Sequence, residues 1–270
     1  MRKLIIQGTG MVAVFLFTWF ALSEVDWMSI FKVEQITKAT EEKLGKTIWD
    51  WFNHSEKEIR DSEIFNTVDS LLTKVCASND IYRDQVELHI VSNEEVNAFA
   101  LPGNHLVIYS GLINSSENES ELCGVIAHEL AHIKMEHVMK KLVKEVGLSV
   151  VISMSTGNNG GEIVKEAAKL LSSTAYDRKL EKEADLMAVD YLINAGIEPR
   201  HFADFLSRLS ESQPEIESHF AWISTHPDSQ KRADYINSYR EGQPQEVVAV
   251  LANGTWMRLK ENINNLDDNF

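Results

Sequence analysis

Apolar residues recur at helical spacing through most of this chain and alternate at strand spacing in one short region. Leu122, Val125, Ile126, Leu130 and Ala131 follow the helical period of about 3.6 residues. The stretch around Gly124 to His132 is therefore predicted to be an amphipathic helix. Ser120 or Asn118 is its candidate cap, and the helix is expected to run past His137 to Val146. Ile48, Trp51 and Phe52, then Ile64, Val68, Leu71, Leu72 and Val75, predict two or three helices between about Val25 and Ser78. From Gln85 to Ser92 the period changes. Val86, Leu88 and Ile90 alternate with Glu87, His89 and Val91, as in a half-buried strand with His89 on the solvent face. Val96 to Ala100 and His105 to Tyr109 are two more short strands about a Pro102-Gly103 turn, which makes a small sheet. A further helix starts near Glu162 or after Thr174 and runs to about Asn194. Its apolar face collects Leu180, Ala184, Met187, Ala188, Tyr191, Leu192 and Ala195. Thr156 to Gly161 reads as a flexible loop. The tail from Gly242 has one possible strand, Glu246 to Leu251, and then a polar stretch expected to fray.

The N-terminus has its own pattern. Arg2 and Lys3 precede an apolar run from Leu4 to Leu22. About nineteen residues suffice to span a bilayer as a helix. The positive flank keeps the N-terminus in the cytoplasm and sends the rest across. Ala21-Leu22-Ser23 also reads as a cleavage site, so a removed signal peptide is the alternative. A net charge of −15 over 270 residues argues against nucleic acid as a partner. Cys76 and Cys123, the two cysteines, exclude a disulfide framework and a Cys-rich zinc site. Whether they pair is left open.

Candidate chemistry lies on the helical faces. His128-Glu129-x-x-His132 places two imidazoles one turn apart on one face, close enough to hold one zinc ion. Glu129 beside them can take a proton from water that the metal acidifies. His137, five positions on, turns away from that face on a continuous helix and is expected to be exposed. On the later helix Glu181 and Asp185 fall within or at the edge of the apolar face, where unmatched carboxylates are costly. A metal with a histidine N–H would offset them; a salt bridge such as Arg178 with Glu181 is the alternative, and the His-Glu-x-x-His motif upstream tips the reading to a metal ligand. Glu183 shares the opposite side with Lys179, Lys182 and Asp190 and should be solvated. His201 reads as a surface residue at a helix start. His226 is held extended by Pro227.

Taken together, His128-Glu129-x-x-His132, Glu181-x-x-x-Asp185 and Thr225-His226-Pro227 resemble the gluzincin metalloproteases of the HtpX and CAAX-prenyl-endopeptidase type. Asn97-Ala98-Phe99-Ala100-Leu101-Pro102-Gly103, ending in Ser110-Gly111-Leu112, resembles that family's edge-strand signature. The likeness covers roughly residues 65–240. One departure is Asp177, where the family usually has Ser before the Arg. The resemblance implies an α+β, mostly helical, zincin-like metalloprotease domain with one zinc ion. His128, His132 and Glu181 would be its ligands and Glu129 its general base. Asp185 would orient a ligand histidine. His226 would either stabilise the oxyanion or cap the zinc at rest. Asn97, Ala98, Phe99 and Ala100 would pair with a polypeptide substrate, and Arg232 would anchor substrate or the His226 loop.

The expected organisation is an anchor or signal at 1–24, a helical linker at 25–64, the metalloprotease domain at 65–240 and an extension at 241–270. The expected enzyme is a zinc endopeptidase for misfolded or unassembled envelope proteins. It would be single-pass in a bacterial inner membrane with its catalytic domain in the periplasm, or soluble there if the segment is removed. Two rivals stand beside it. One is a chaperone-like binding protein with a latent zinc site. The other is a zinc hydrolase of a non-peptide bond, against which an edge strand argues. Oligomeric state is not legible in the sequence.

Overall fold

A computed structural model describes residues 11, 38–155, 161–211, 221–240 and 249–267. Apart from Met11, the Leu4 to Leu22 run lies outside them, as does all but the last residue of the expected loop at Thr156 to Gly161. Among the described residues no helix is long and apolar enough to cross a membrane.

The sheet has four strands: β1 (Lys57–Glu58), β2 (Glu87–Ser92), β3 (Ala98–Leu101) and β4 (His105–Tyr109). Their order is β1-β2-β4-β3. β2 runs parallel to β4, β3 is antiparallel to β4, and β3 stands at the edge. The β3–β4 turn carries left-handed backbone at Gly103 (φ 71) and Asn104 (φ 62), which suits these two residue types.

Helices cover both faces. Leu88, Ile90, Ala98, Leu106 and Ile108 join the main core with α2 (Ser62–Ala77) and the later helices. On the other face lies α1 (Lys38–Ser55), where Trp49 stacks on His89 at 3.6 Å and Phe52 meets Phe99 edge-on at 5.4 Å. This corrects the expectation for His89. It is buried, with Nε2 2.9 Å from His105 Nδ1 and Nδ1 3.0 Å from Glu58 Oε1. Strand alternation marks two faces but does not say whether a helix covers the second.

α1 crosses the β3–β4 turn at Gly45, where an added Cβ would lie 1.9 Å from the Pro102 carbonyl oxygen. Gly45→Ala must push helix and turn apart. It is expected to destabilise by about 1–3 kcal/mol, the usual range for overpacking. A lower urea midpoint at unchanged slope is the readout, and an unchanged midpoint would mean that α1 is not seated there.

After β4 come α3 (Ser110–Ser115) and α4 (Glu119–Lys134). Asn118 caps α4, its Oδ1 accepting from the backbone N–H of Ser120 and Glu121 at 3.1 Å each. α4 is the central helix, buried from Glu121 to His132. It ends earlier than its pattern suggests. Glu136 takes left-handed backbone (φ 57), and α5 (His137–Val146) starts anew beyond it. α6 (Leu148–Ser155) follows. Of the two starts expected for the next helix, the one after Thr174 is found in α8 (Arg178–Asn194), while the segment from near Glu162 forms a separate helix, α7 (Gly161–Ser173). α9 (Arg200–Glu211), α10 (Ala221–Thr225) and α11 (Ser229–Arg240) complete the layer around α4 and α8.

The tail is also corrected. Of the strand expected at Glu246 to Leu251, the first three residues lie outside the described ones, and Ala249, Val250 and Leu251 form no strand. α12 (Thr255–Asp267) replaces the frayed end. Trp256, Leu259 and Ile263 enter the core, and Lys260 Nζ donates to the Ser116 carbonyl at 2.8 Å. Those three apolar residues recur at helical spacing, a signal outweighed by the polar residues between them. Cys76 and Cys123 are both free and buried.

Candidate metal centre

Packing of α8 against α4 builds the site. His128 and His132 project from α4 with their Nε2 atoms 3.0 Å apart. Glu181, on the first turn of α8, brings Oε1 within 3.3 Å of His132 Nε2. His226, just after α10, brings Nδ1 within 3.1 Å of His128 Nε2 and 2.9 Å of Glu181 Oε1. These four residues form a group able to hold a metal ion, with no side chain measurably exposed except Glu181 at 3%. Four zinc–ligand bonds of about 2.0–2.2 Å set tetrahedral edges of about 3.3–3.6 Å. Five contacts among these donors, counting either Glu181 oxygen, measure 2.9 to 3.7 Å, close to those edges, and the four ligand atoms all lie within 4.8 Å of one another. Three nitrogens and a carboxylate are a donor set that suits zinc.

The protonation states agree with that use. Burial pushes His132 down to about 4 and His226 down to about 3, so both imidazoles are neutral near pH 7. Burial opposes the Glu181 charge, yet the Arg232 guanidinium beside it, with hydrogen bonds from His132 and His226, holds the carboxyl well below its usual range. Neutral imidazoles and an ionised carboxylate are the forms that bind a metal. Glu129 differs: burial, opposed by His128, pushes it up to about 7. Its Oε1 accepts from Trp222 Nε1 at 3.4 Å and lies 3.3 Å from His226 Nε2, while Oε2 has no partner. Of the three buried carboxylates, Glu181 and Asp185 pair with the buried Arg232, and a second buried cationic group, Lys141, lies over the Tyr176 ring near Glu129 and Glu181.

Asp185 lies one turn after Glu181 and faces the same way. Its Oδ1 is 2.8 Å from His128 Nδ1. Arg232 donates to both of its oxygens, Nε to Oδ2 at 2.8 Å and Nη2 to Oδ1 at 2.7 Å, and the Tyr235 hydroxyl donates to Oδ2. Arg232 also donates to the His226 carbonyl at 3.1 Å and pairs with Glu181 Oε2 at 3.1 Å. It is buried beneath the site and holds the His226 loop. Arg178 pairs with Asp228 at 2.9 Å rather than with Glu181.

The other sequence-derived positions fall differently. Ala98, Phe99 and Ala100 form the edge strand β3 with Asn97 just ahead of it, but all four are buried and α7 packs along them. Asn97 Nδ2 donates to the Ser172 carbonyl at 3.2 Å. His137 is not exposed. It is fully buried against His132, and burial with the neighbouring His132 pushes it down to about 3. Glu183 is only partly exposed and turns toward it.

Sequence reasoning also missed Tyr176 and gave Trp222 no role. The Tyr176 ring lies 4.1 Å from that of His132, and Trp222 stacks on His226 at 4.6 Å. Tyr176 comes from the connection between α7 and α8, and Trp222 from the short helix α10, so no run of periodic positions points either of them to the site.

The chain is similar to several known proteins. A beta-barrel assembly-enhancing protease of Yersinia pestis is 24% identical over 212 residues, covering 70% of this chain and 43% of that protein. The mitochondrial metalloendopeptidase OMA1 of Schizosaccharomyces pombe is 25% identical over 196 residues, covering 72% of this chain and 58% of that one. The beta-barrel assembly-enhancing protease of Escherichia coli K12 is 26% identical over 211 residues, covering 70% and 42%. The chain thus spans about half the length of the curated relatives it matches. The profile described as Peptidase family M48 matches residues 62–240, from the start of α2 to the end of α11. That span is well over half of the sequence, and the chain belongs to peptidase family M48.

Proposed function

We propose that this chain is a zinc-dependent metalloendopeptidase holding one zinc ion with His128, His132 and Glu181. The observation that carries the reading is the convergence of these donors beside Glu129, a buried carboxylate with one oxygen unpartnered. Zinc bound there supplies Lewis acidity, polarising a peptide carbonyl and acidifying water. Glu129 takes the proton from the attacking water and returns it to the leaving amine. Burial raises this carboxyl above its usual range, the direction that favours a group able both to take and to return a proton. Asp185 accepts from His128 Nδ1–H, which leaves Nε2 free to ligate. Arg232 keeps Asp185 and Glu181 ionised and the His226 loop in place.

We read His226 as a cap. Its Nδ1 stands among the donors, and a catalytic zinc needs an open position. With α7 along β3 and the site closed to solvent, this arrangement is a resting one. A substrate strand would pair with β3 after the cap and α7 move. The same closure favours the second reading, a chaperone-like holder that rarely cuts. Zinc content by atomic absorption, together with casein turnover by the purified chain, separates the two. One zinc with turnover supports the protease. One zinc without turnover under any condition supports the holder.

For location, the Leu4 to Leu22 run supports a single anchor, with the peptidase domain outside the cytoplasm acting on unassembled envelope proteins. The relatives named for β-barrel assembly are consistent with such clients. The full chain is expected to stay in the membrane fraction after an alkaline carbonate wash. Release with a new N-terminus near Glu24 would mean a cleaved signal, and domain recovered from the cytoplasm would overturn the placement.

A further inference from the structure

We infer that His137 is a positioning residue for the metal centre, holding the His132 imidazole in its metal-binding tautomer, an inference that rests on the metallopeptidase reading above. On an unbroken helix, five residues turn a side chain roughly 140° away from its starting face. The chain instead stops α4 at Lys134, takes left-handed backbone at Glu136, and restarts as α5 at His137. Left-handed backbone at a non-glycine residue persists where the surroundings enforce it. Here it returns His137 to the metal side. The two rings meet edge-on with centroids 5.0 Å apart, and His137 Nδ1 lies 3.1 Å from His132 Nδ1.

A bond between two ring nitrogens needs one N–H and one lone pair. His132 turns Nε2 toward His128, Glu181 and the other donors. For a neutral imidazole to offer a lone pair there, its proton must sit on Nδ1. His132 Nδ1–H then donates to His137 Nδ1, and the His137 proton sits on Nε2. That N–H faces Glu183 Oε2 at 3.5 Å, an electrostatic contact longer than a well-formed hydrogen bond. The opposite assignment, with His137 donating, would put a proton on His132 Nε2, where a metal must bind. His137 therefore has to accept. His128 has its own support in Asp185, so each histidine of the motif is oriented from behind by a different partner.

The test is zinc affinity of the full chain, measured against a competing chelator, for the parent and for His137→Leu, His137→Asn and His137→Gln. Asn carries an acceptor oxygen near the position of Nδ1, whereas Gln reaches the position of Nε2 and Leu offers no acceptor. The parent should bind one zinc. His137→Leu and His137→Gln should weaken binding ten- to a hundredfold, on the order found for such supporting partners, and His137→Asn should stay within about threefold. The visible spectrum of the cobalt-substituted protein should change in the Leu and Gln variants and not in Asn. If His137→Leu fails to fold, the Asn and Gln pair still decides. A parent that binds no zinc sinks the metal-centre reading and this inference with it. A parent that binds zinc while all three variants bind equally well keeps the metal centre and overturns the role of His137.

Discussion

Glu129→Gln is expected to cut casein cleavage at least about a hundredfold, the scale usual for general acid–base catalysis, while zinc content stays at the parent level. Glutamine has nearly the same shape and leaves His128, His132 and Glu181 untouched. It also retains an oxygen to accept from Trp222 Nε1. What it lacks is a basic site for the proton of the attacking water. Burial has already pushed the Glu129 carboxyl up to about 7, so its neutral form is tolerated and folding should not suffer. The measurement pairs casein turnover with atomic absorption on the same preparation. A variant that digests casein as fast as the parent rules out Glu129 as the base. Loss of zinc with loss of activity would instead make it a structural member of the site.

Arg232→Met is expected to destabilise the zinc-free protein by about 3–5 kcal/mol, the range for breaking a buried ion pair from one side. Met preserves much of the packing over Trp222, whose ring lies 4.8 Å from the guanidinium. It removes the charge that offsets Asp185 and Glu181 in a site closed to water. The pH dependence gives a sign to check. Burial opposes the Asp185 charge, but Arg232 and His128 outweigh it and hold the carboxyl well below its usual range. A carboxyl depressed in the folded state stabilises above its unfolded value of about 3.9, and that contribution fades as pH falls through the folded value. Without Arg232 burial dominates and the folded value rises, so protonation would favour the folded variant. Its deficit against the parent should be largest near pH 7 and shrink toward pH 4. Urea denaturation of both proteins across that range is the measurement. A deficit that stays constant with pH would show that Arg232 acts through packing rather than charge.

Local spacing alone determined that His128 and His132 share a face, that Glu181 and Asp185 share another, and that Glu183 does not join them. Helical period is a property of the backbone, so it was readable before any packing was known. The start of α4 at Asn118 or Ser120, the three strands β2 to β4 and their turn were legible for the same reason: each rests on hydrogen bonds or backbone angles within a few residues, and the structure chose Asn118 as the cap. The apolar run at Leu4 to Leu22 remains a reading of the sequence, since it lies almost wholly outside the described residues. Tertiary structure alone decided what each face meets. α1 buried His89 by covering the second face of the sheet. The break at Glu136 brought His137 behind His132, although nothing in the types of Met135 and Glu136 marks a left-handed turn. Arg232 became the buried partner of Asp185 because α11 docks on α8 from a distant part of the chain. His226 entered the donor set in the same way, from a connection with no period of its own. Periodicity says which residues look in one direction, while the long-range contacts that choose their partners depend on how distant elements dock.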